Sequence, residues 1–121
     1  MHSPPSQTAL HVQVVAAPGL AAPGNAEAAN FLVVVTNPHT GLGVGNLTQQ
    51  QIAIINHFMV PGQTAGFTNN ITSFHDVSGG AYRIQVKPVN DARWVCGSYL
   101  AQVVVSAPNQ AGQAATTLMI R

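Results

Sequence analysis

The chain has 121 residues, enough for one domain with a core of its own, and only 6% of them are charged, against about 25% in an ordinary soluble domain. It has only four basic residues, Arg83, Lys87, Arg93 and Arg121, too few for a nucleic-acid-binding surface, so we predict no nucleic-acid partner. No apolar run approaches the roughly 18 residues that span a membrane. A polar surface built from Asn, Gln, Ser, Thr and backbone groups repels its neighbours weakly, so we expect self-association or a place in a larger assembly.

The first elements follow a short N-terminal segment. We expect residues 1–7 to be a flexible lead-in and residues 8–121 to form a single domain. Alternating side chains in Thr8–Ala16 favour a half-buried strand, and two Ala-Pro-Gly turns follow it. The next run, Asn30–Thr36, is apolar on both faces and predicts a central strand, which Asn37-Pro38 ends.

Residues 49–58 are open to two interpretations. The spacing of Thr48 and Gln51 is that of a capping box that opens a helix, with an apolar stripe behind it. The β-branched side chains of Ile52, Ile54 and Ile55 favour a strand instead. The β character of the rest of the chain leads us to expect a strand here.

Four more runs predict strands in the second half of the chain: Asn70–Val77, Ala81–Val89, Ser98–Ser106 and Gln113–Ile120. Turn-forming residues separate them, and a short Pro/Gly-rich connection predicts that the last two form a hairpin. Seven short strands with this spacing predict an all-β fold, a seven-stranded antiparallel β-sandwich with an immunoglobulin-like arrangement.

A heptapeptide pattern occurs twice, in Gly80–Val86 and in Gly97–Val103. Each copy reads Gly, small, Tyr, any residue, apolar or small, Gln, Val. Strand side chains alternate, so Tyr and the residues two and four further on lie on one face. We expect that face to lie in the core. The residues that we predict to form the core are Leu10, Val12, Val14, Leu32, Val34, Ile52, Ile54, Tyr82, Ile84, Val86, Tyr99, Ala101, Val103, Val105, Leu118 and Ile120.

Two segments resemble bacterial immunoglobulin-like and prealbumin-like modules. In Val33–Thr48 the alternating Val, the Thr-Gly turn and the Leu-Thr are similar to their second strand and following loop, although Asn37 stands where Asp is usual and Gly43 where Pro is usual. Trp94–Val103 resembles their penultimate strand, in which Gly-x-Tyr opens the strand, and Tyr99 would be the tyrosine corner. The resemblance implies a β-sandwich. It also implies the roles in which such modules commonly occur, which are adhesin stalks, accessory domains of secreted enzymes, and carbohydrate-binding or assembly modules.

Candidate binding residues lie in two predicted loops. Asn90, Asp91 and Arg93 flank Trp94, whose ring could stack on a sugar or anchor a protein partner. The alternative is a Trp that covers the core from a loop. His39, within Pro38–Gly41, completes the predicted patch.

Three other side chains form a weaker candidate for copper or zinc. His57 and Met59 share one face if their segment is a strand, and His75 could approach them from a neighbouring strand. Cys96 is the only cysteine, and we expect a small buried side chain beside Trp94.

Only three carboxylates are present in the chain, so paired-carboxylate catalysis is disfavoured and we expect neither an enzyme nor a cofactor. The sequence instead predicts a binding or structural module of a bacterial surface, secreted or particle-associated protein. Such a module would act through its loops and through self-association. Its partner would be another protein, a second copy of the chain or a carbohydrate. The alternative is a small-ligand binder that uses Trp94 for sugar or the histidines for metal.

Overall fold

The computed structural model describes residues 8–58, 66–68, 70–89 and 92–121. In this part of the chain every regular element except one short turn is a strand. The strands are β1 (Thr8–Ala9), β2 (His11–Ala17), β3 (Ala29–Thr36), β4 (Ile52–Phe58), β5 (Gly66–Thr68), β6 (Asn70–Asp76), β7 (Ala81–Lys87), β8 (Gly97–Ala107) and β9 (Gln110–Ile120). Seven of them have at least seven residues, and each overlaps one of the seven predicted runs, so the all-β prediction is confirmed.

The strands form two sheets. One has the order β2-β3-β7-β6 and is antiparallel throughout. The other has the order β1-β9-β8-β4-β5 and is antiparallel apart from the parallel pair β1 and β9. The first predicted run therefore divides at Leu10, which leaves β1 in one sheet and β2 in the other.

The core lies between the two sheets and takes one face of each, which is the arrangement of a β-sandwich. The inward residues of β7 and β8 are those of the repeated heptapeptide, and Tyr82 and Tyr99 are both buried. The predicted face of β3 is wrong: Phe31, Val33 and Val35 are buried, whereas Leu32 is 41% exposed and Val34 lies on the outer side. A run that is apolar at every position carries no alternation to set its phase, so the register against β7 decides it.

Residues 49–58, for which both a helix and a strand were considered, form a short helical turn followed by a strand. Gln49–Gln51 forms a single 3-10 turn, in which the Thr48 N–H donates to Gln51 Oε1 at 2.8 Å. β4 begins at the next residue and pairs with β8 along its whole length. The strand prediction is confirmed from Ile52 onward. Among the described residues no helix is long and apolar enough to cross a membrane.

The hairpin of β8 and β9 is longer than predicted. Its turn is only Pro108-Asn109, with Asn109 at φ 59°, a region that Asn tolerates well. Both strands reach 11 residues. This hairpin is the largest regular unit of the fold.

Loops lie at the two ends of the sheets. At one end, here called the Tyr82 end, are the loop 37–48, the turn 77–80 and the turn 108–109. At the other, the Trp94 end, are the loop 18–28 and the described part of the connection 88–96. A seven-residue strand such as β7 separates the two ends by roughly 20 Å.

Candidate functional site

The predicted loop patch is divided between the two ends of the molecule. His39 is exposed at the Tyr82 end, while Arg93 is exposed at the Trp94 end. Asn90 and Asp91 lie outside the described residues. The structure therefore does not bring 38–41 together with 92–94, the described residues of the other predicted loop. Each long strand reverses the chain, so connections three strands apart fall at opposite ends, and this parity could have been counted from the sequence.

Trp94 belongs to the core. Its ring is 1% exposed, and its indole N–H donates to the Glu27 carbonyl at 2.7 Å. The ring meets Tyr99 edge-on at a centroid distance of 5.3 Å. Its backbone N–H donates to the Asn25 carbonyl, and its own carbonyl accepts from the Gly24 N–H. A sugar platform requires an exposed face, so the structure supports the alternative in which Trp94 covers the core and ties down the loop 18–28.

The two repeated tyrosines anchor loops at opposite ends. The Tyr82 hydroxyl donates to the Val44 carbonyl and accepts from the Leu47 N–H at 3.2 Å. The Tyr99 hydroxyl accepts from the Val95 N–H at 2.8 Å. Burial raises the pKa of both phenols, and the hydrogen bonds from backbone N–H groups act in the opposite direction. The motif is therefore structural: Tyr82 fixes the loop 37–48 to β7, and Tyr99 fixes the segment that precedes β8 to that strand.

The histidine candidates do not come together. His57 is exposed on β4 in the five-stranded sheet, and His75 is exposed on β6 in the other sheet. His57 lies toward the Trp94 end and His75 toward the Tyr82 end, while Met59 lies outside the described residues. No group of three or more His, Cys, Asp or Glu side chains forms within the described ranges. The structure thus gives no shared metal site for His57 and His75.

Cys96 is exposed, so the expectation of a buried side chain beside Trp94 is wrong. It precedes Gly97, which has φ 140° and opens β8. The side chain therefore sits where the chain turns into the strand rather than on the strand's inward face.

One buried polar residue was not predicted. Asn56 on β4 is 0% exposed, and neither its Oδ1 nor its Nδ2 has a hydrogen-bond partner in the part of the chain that the structure describes. It occupies an inward position, two residues beyond buried Ile54, where the alternation of β4 calls for an apolar side chain. A buried amide without partners costs about 1–3 kcal/mol. The sequence signal was a lone Asn on the apolar face of a predicted strand.

The outer face of the five-stranded sheet is uncharged. We define this hairpin face by its outward side chains, which are Ala53, Ile55, His57, Ser98, Leu100, Gln102, Val104, Gln113, Ala115, Thr117 and Met119. The sequence contains no Asp, Glu, Lys or Arg between Glu27 and Asp76, nor from Gly97 to Ile120. Among the strands that the structure describes, charged side chains occur only in the four-stranded sheet, where they are Asp76, Arg83 and Lys87.

The other sheet has a mixed outer face. Val15 is 65% exposed and pairs with Leu32, which in turn pairs with Arg83. Together with Asn30 and Gln85, whose side chains share a 2.9 Å hydrogen bond, they line a shallow depression of about 470 Å³. This surface is apolar at its centre and carries a positive charge at its rim.

The last feature is the edge of β9, here called the β9 edge and defined as Gly112–Ile120. On one side these residues pair with β8. On the other side β1 pairs with Gln110 and Ala111, and beyond them β2, which belongs to the other sheet, runs close alongside β9 without extending the ladder among the described residues. The edge contains no proline and no charged residue. Proline and charged side chains are two of the features by which natural proteins protect strand edges from pairing.

Comparison of the chain with protein-family models, with curated proteins and with solved structures finds no match.

Proposed function

We propose that this chain is a non-enzymatic structural and binding module that works through self-association. The observation that carries the proposal is the uncharged hairpin face. Like charges oppose association, and this sheet has none on its strands.

The same proposal includes an immunoglobulin-like arrangement for the sandwich. The order β2-β3-β7-β6 in one sheet and β9-β8-β4 in the other supports it, because constant-type immunoglobulin domains have the corresponding order ABED and GFC. Tyr99 supports it as well. It lies near the start of the penultimate strand, and its hydroxyl is bonded to the backbone four residues upstream, as in a tyrosine corner.

A role for the loops remains part of the proposal in a revised form. Because the predicted patch is divided, a partner would contact one end only. The Tyr82 end is favoured, since Tyr82 and Asp76 hold its loops to the strands. The Asp76 carboxylate accepts from the Asn46 N–H at 3.3 Å and from the Ser78 N–H at 2.8 Å. Exposed His39 would be the contact residue there.

We place the module outside the cytoplasm, on a bacterial surface, in a secreted protein or in a particle. The low content of charged residues and the abundance of Asn, Gln and Thr support this placement. The small-ligand alternative has less support. Trp94 is buried, and His57 and His75 lie in different sheets.

The experiment is native mass spectrometry with sedimentation velocity over a series of protein concentrations. It is done first on metal-free protein and then after addition of copper or zinc. We expect a metal-independent oligomer whose fraction rises with concentration. A sharp monomer at every concentration contradicts self-association. A stoichiometric metal that is lost in His57→Ala contradicts the structural role and favours metal handling, with His11→Ala as the matched control on another exposed histidine.

A further inference from the structure

We propose that the outer face of the four-stranded sheet binds an extended acidic peptide of a partner protein, in which a carboxylate side chain lies beside an apolar one. This surface is here called the Arg83 face and is defined by Val15, Asn30, Leu32, His75, Arg83 and Gln85. The inference goes beyond the proposed function, because self-association is assigned to the hairpin face on the other sheet.

One row of side chains crosses the Arg83 face at right angles to the strands. Val15 on β2 pairs with Leu32 on β3, and Leu32 pairs with Arg83 on β7. Arg83 in turn pairs with His75 on β6. Neighbouring strands lie about 4.8 Å apart, so the row is roughly 14 Å long. One half of the row is apolar and the other half is basic.

The apolar half of the row is exposed and elongated. Val15 is 65% exposed and Leu32 is 41% exposed. Both side chains line two shallow depressions, one of about 470 Å³ that Arg83 borders and one of about 460 Å³ that reaches Ala114 and Ala115 on β9. Small-molecule sites enclose most of the ligand surface, whereas this open strip suits a chain of about five or six extended residues.

The charge of this face selects an acidic occupant. Arg83 and Lys87 are both exposed on the outer side of β7. None of the described outward side chains of β2, β3, β7 and β6 is acidic. Interfaces place opposite charges against each other, so a complementary surface carries carboxylates.

A second copy of the chain is a poor source of those carboxylates. The sequence contains three, on Glu27, Asp76 and Asp91, and its formal net charge is +1. The Asp76 carboxylate already accepts hydrogen bonds from the N–H groups of Asn46 and Ser78. Two copies therefore bring few negative charges to this face, and the occupant is a different, acidic chain.

A pair of amide side chains beside the row favours a peptide over a lipid surface. Gln85 Nε2 donates to Asn30 Oδ1 at 2.9 Å, and both residues line the depression that Arg83 borders. This bond leaves Asn30 Nδ2 as a donor and Gln85 Oε1 as an acceptor for an occupant. A peptide main chain offers both partners at nearly every residue, whereas acyl chains offer neither and would bury the amides at a cost.

The test is a peptide titration followed through the amide chemical shifts of the protein in two-dimensional NMR. The probe is a synthetic peptide that repeats Leu-Ser-Glu-Ser, which places Leu and Glu on one side of an extended chain, about 6.7 Å apart. We expect the shift changes to concentrate on the Arg83 face. Peptides with Lys in place of Glu, or Ala in place of Leu, should bind at least about fivefold more weakly. No shift change on this face at millimolar peptide, or equal binding of the Lys peptide, overturns the proposal.

Two variants of the protein locate the contact. Arg83→Glu should raise the dissociation constant of the Glu peptide at least about fivefold, because an attraction becomes a repulsion. Leu32→Thr, which keeps a side chain suited to a strand, should also weaken binding. The matched control is Arg121→Glu, which makes the same change of charge at an exposed residue after β9 and should bind like the wild type. An equal loss in Arg83→Glu and Arg121→Glu reports net charge alone and overturns the site.

Vesicles of anionic phospholipid are the second probe. Binding to these vesicles that Arg83→Glu abolishes, without binding of the Glu peptide, makes the face a membrane contact and overturns the peptide proposal. Sedimentation of the protein without peptide measures self-association separately. A failure of peptide binding therefore leaves the proposed function standing, and a monomer at every concentration leaves the peptide site standing.

Discussion

The hydroxyl of Tyr82 should carry a measurable share of the stability. The side chain is 0% exposed, and its hydroxyl joins the Val44 carbonyl to the Leu47 N–H. Tyr82→Phe keeps the ring, which lies 5.6 Å from that of Phe74, and removes both hydrogen bonds. Each bond contributes about 0.5–1.5 kcal/mol net, and a donor left unpaired beside buried Leu47 adds to the cost.

We therefore expect Tyr82→Phe to lower the free energy of unfolding by about 2–3 kcal/mol, or Tm by about 10 °C. Urea denaturation followed by tryptophan fluorescence measures the change, provided that the transition is two-state. Tyr82→Leu, which also removes the ring, should cost clearly more. A loss below about 0.5 kcal/mol in Tyr82→Phe would refute the idea that the hydroxyl anchors the loop.

Three further predictions follow from buried groups. Burial raises the pKa of Tyr82 and Tyr99 above the ordinary tyrosine value of about 10. The unfolded chain therefore loses these protons at a lower pH than the folded chain, so the free energy of unfolding should fall as pH rises above about 10. Unfolding measured at increasing alkaline pH should show a shallower fall in Tyr82→Phe than in the wild type. Asn56→Leu should stabilise the fold by about 1–3 kcal/mol in thermal unfolding, while Asn56→Asp destabilises it. Gly80→Ala should destabilise it in the same assay, since Gly80 has φ 84° and a Cβ would lie 2.5 Å from the Val35 carbonyl, whereas Gly24→Ala, with no atom within 4 Å, is the control for positive φ alone.

Much of the strand pattern could be predicted from alternation. β7 and β8 alternate strictly, and their inward residues are the predicted ones. For β3 the prediction of which side chains face the core was wrong. Its five consecutive large apolar residues, Phe31–Val35, satisfy either face, so only pairing with neighbouring strands selects the inward set.

The candidate site was less predictable than the fold. Trp94 has the flanking residues of an exposed recognition loop, but hydrogen bonds to Glu27 and Asn25, remote in sequence, draw it into the core. His57 and His75 were grouped by chemistry alone, and sheet membership separates them. Such contacts join residues far apart in the chain, which local patterns do not encode.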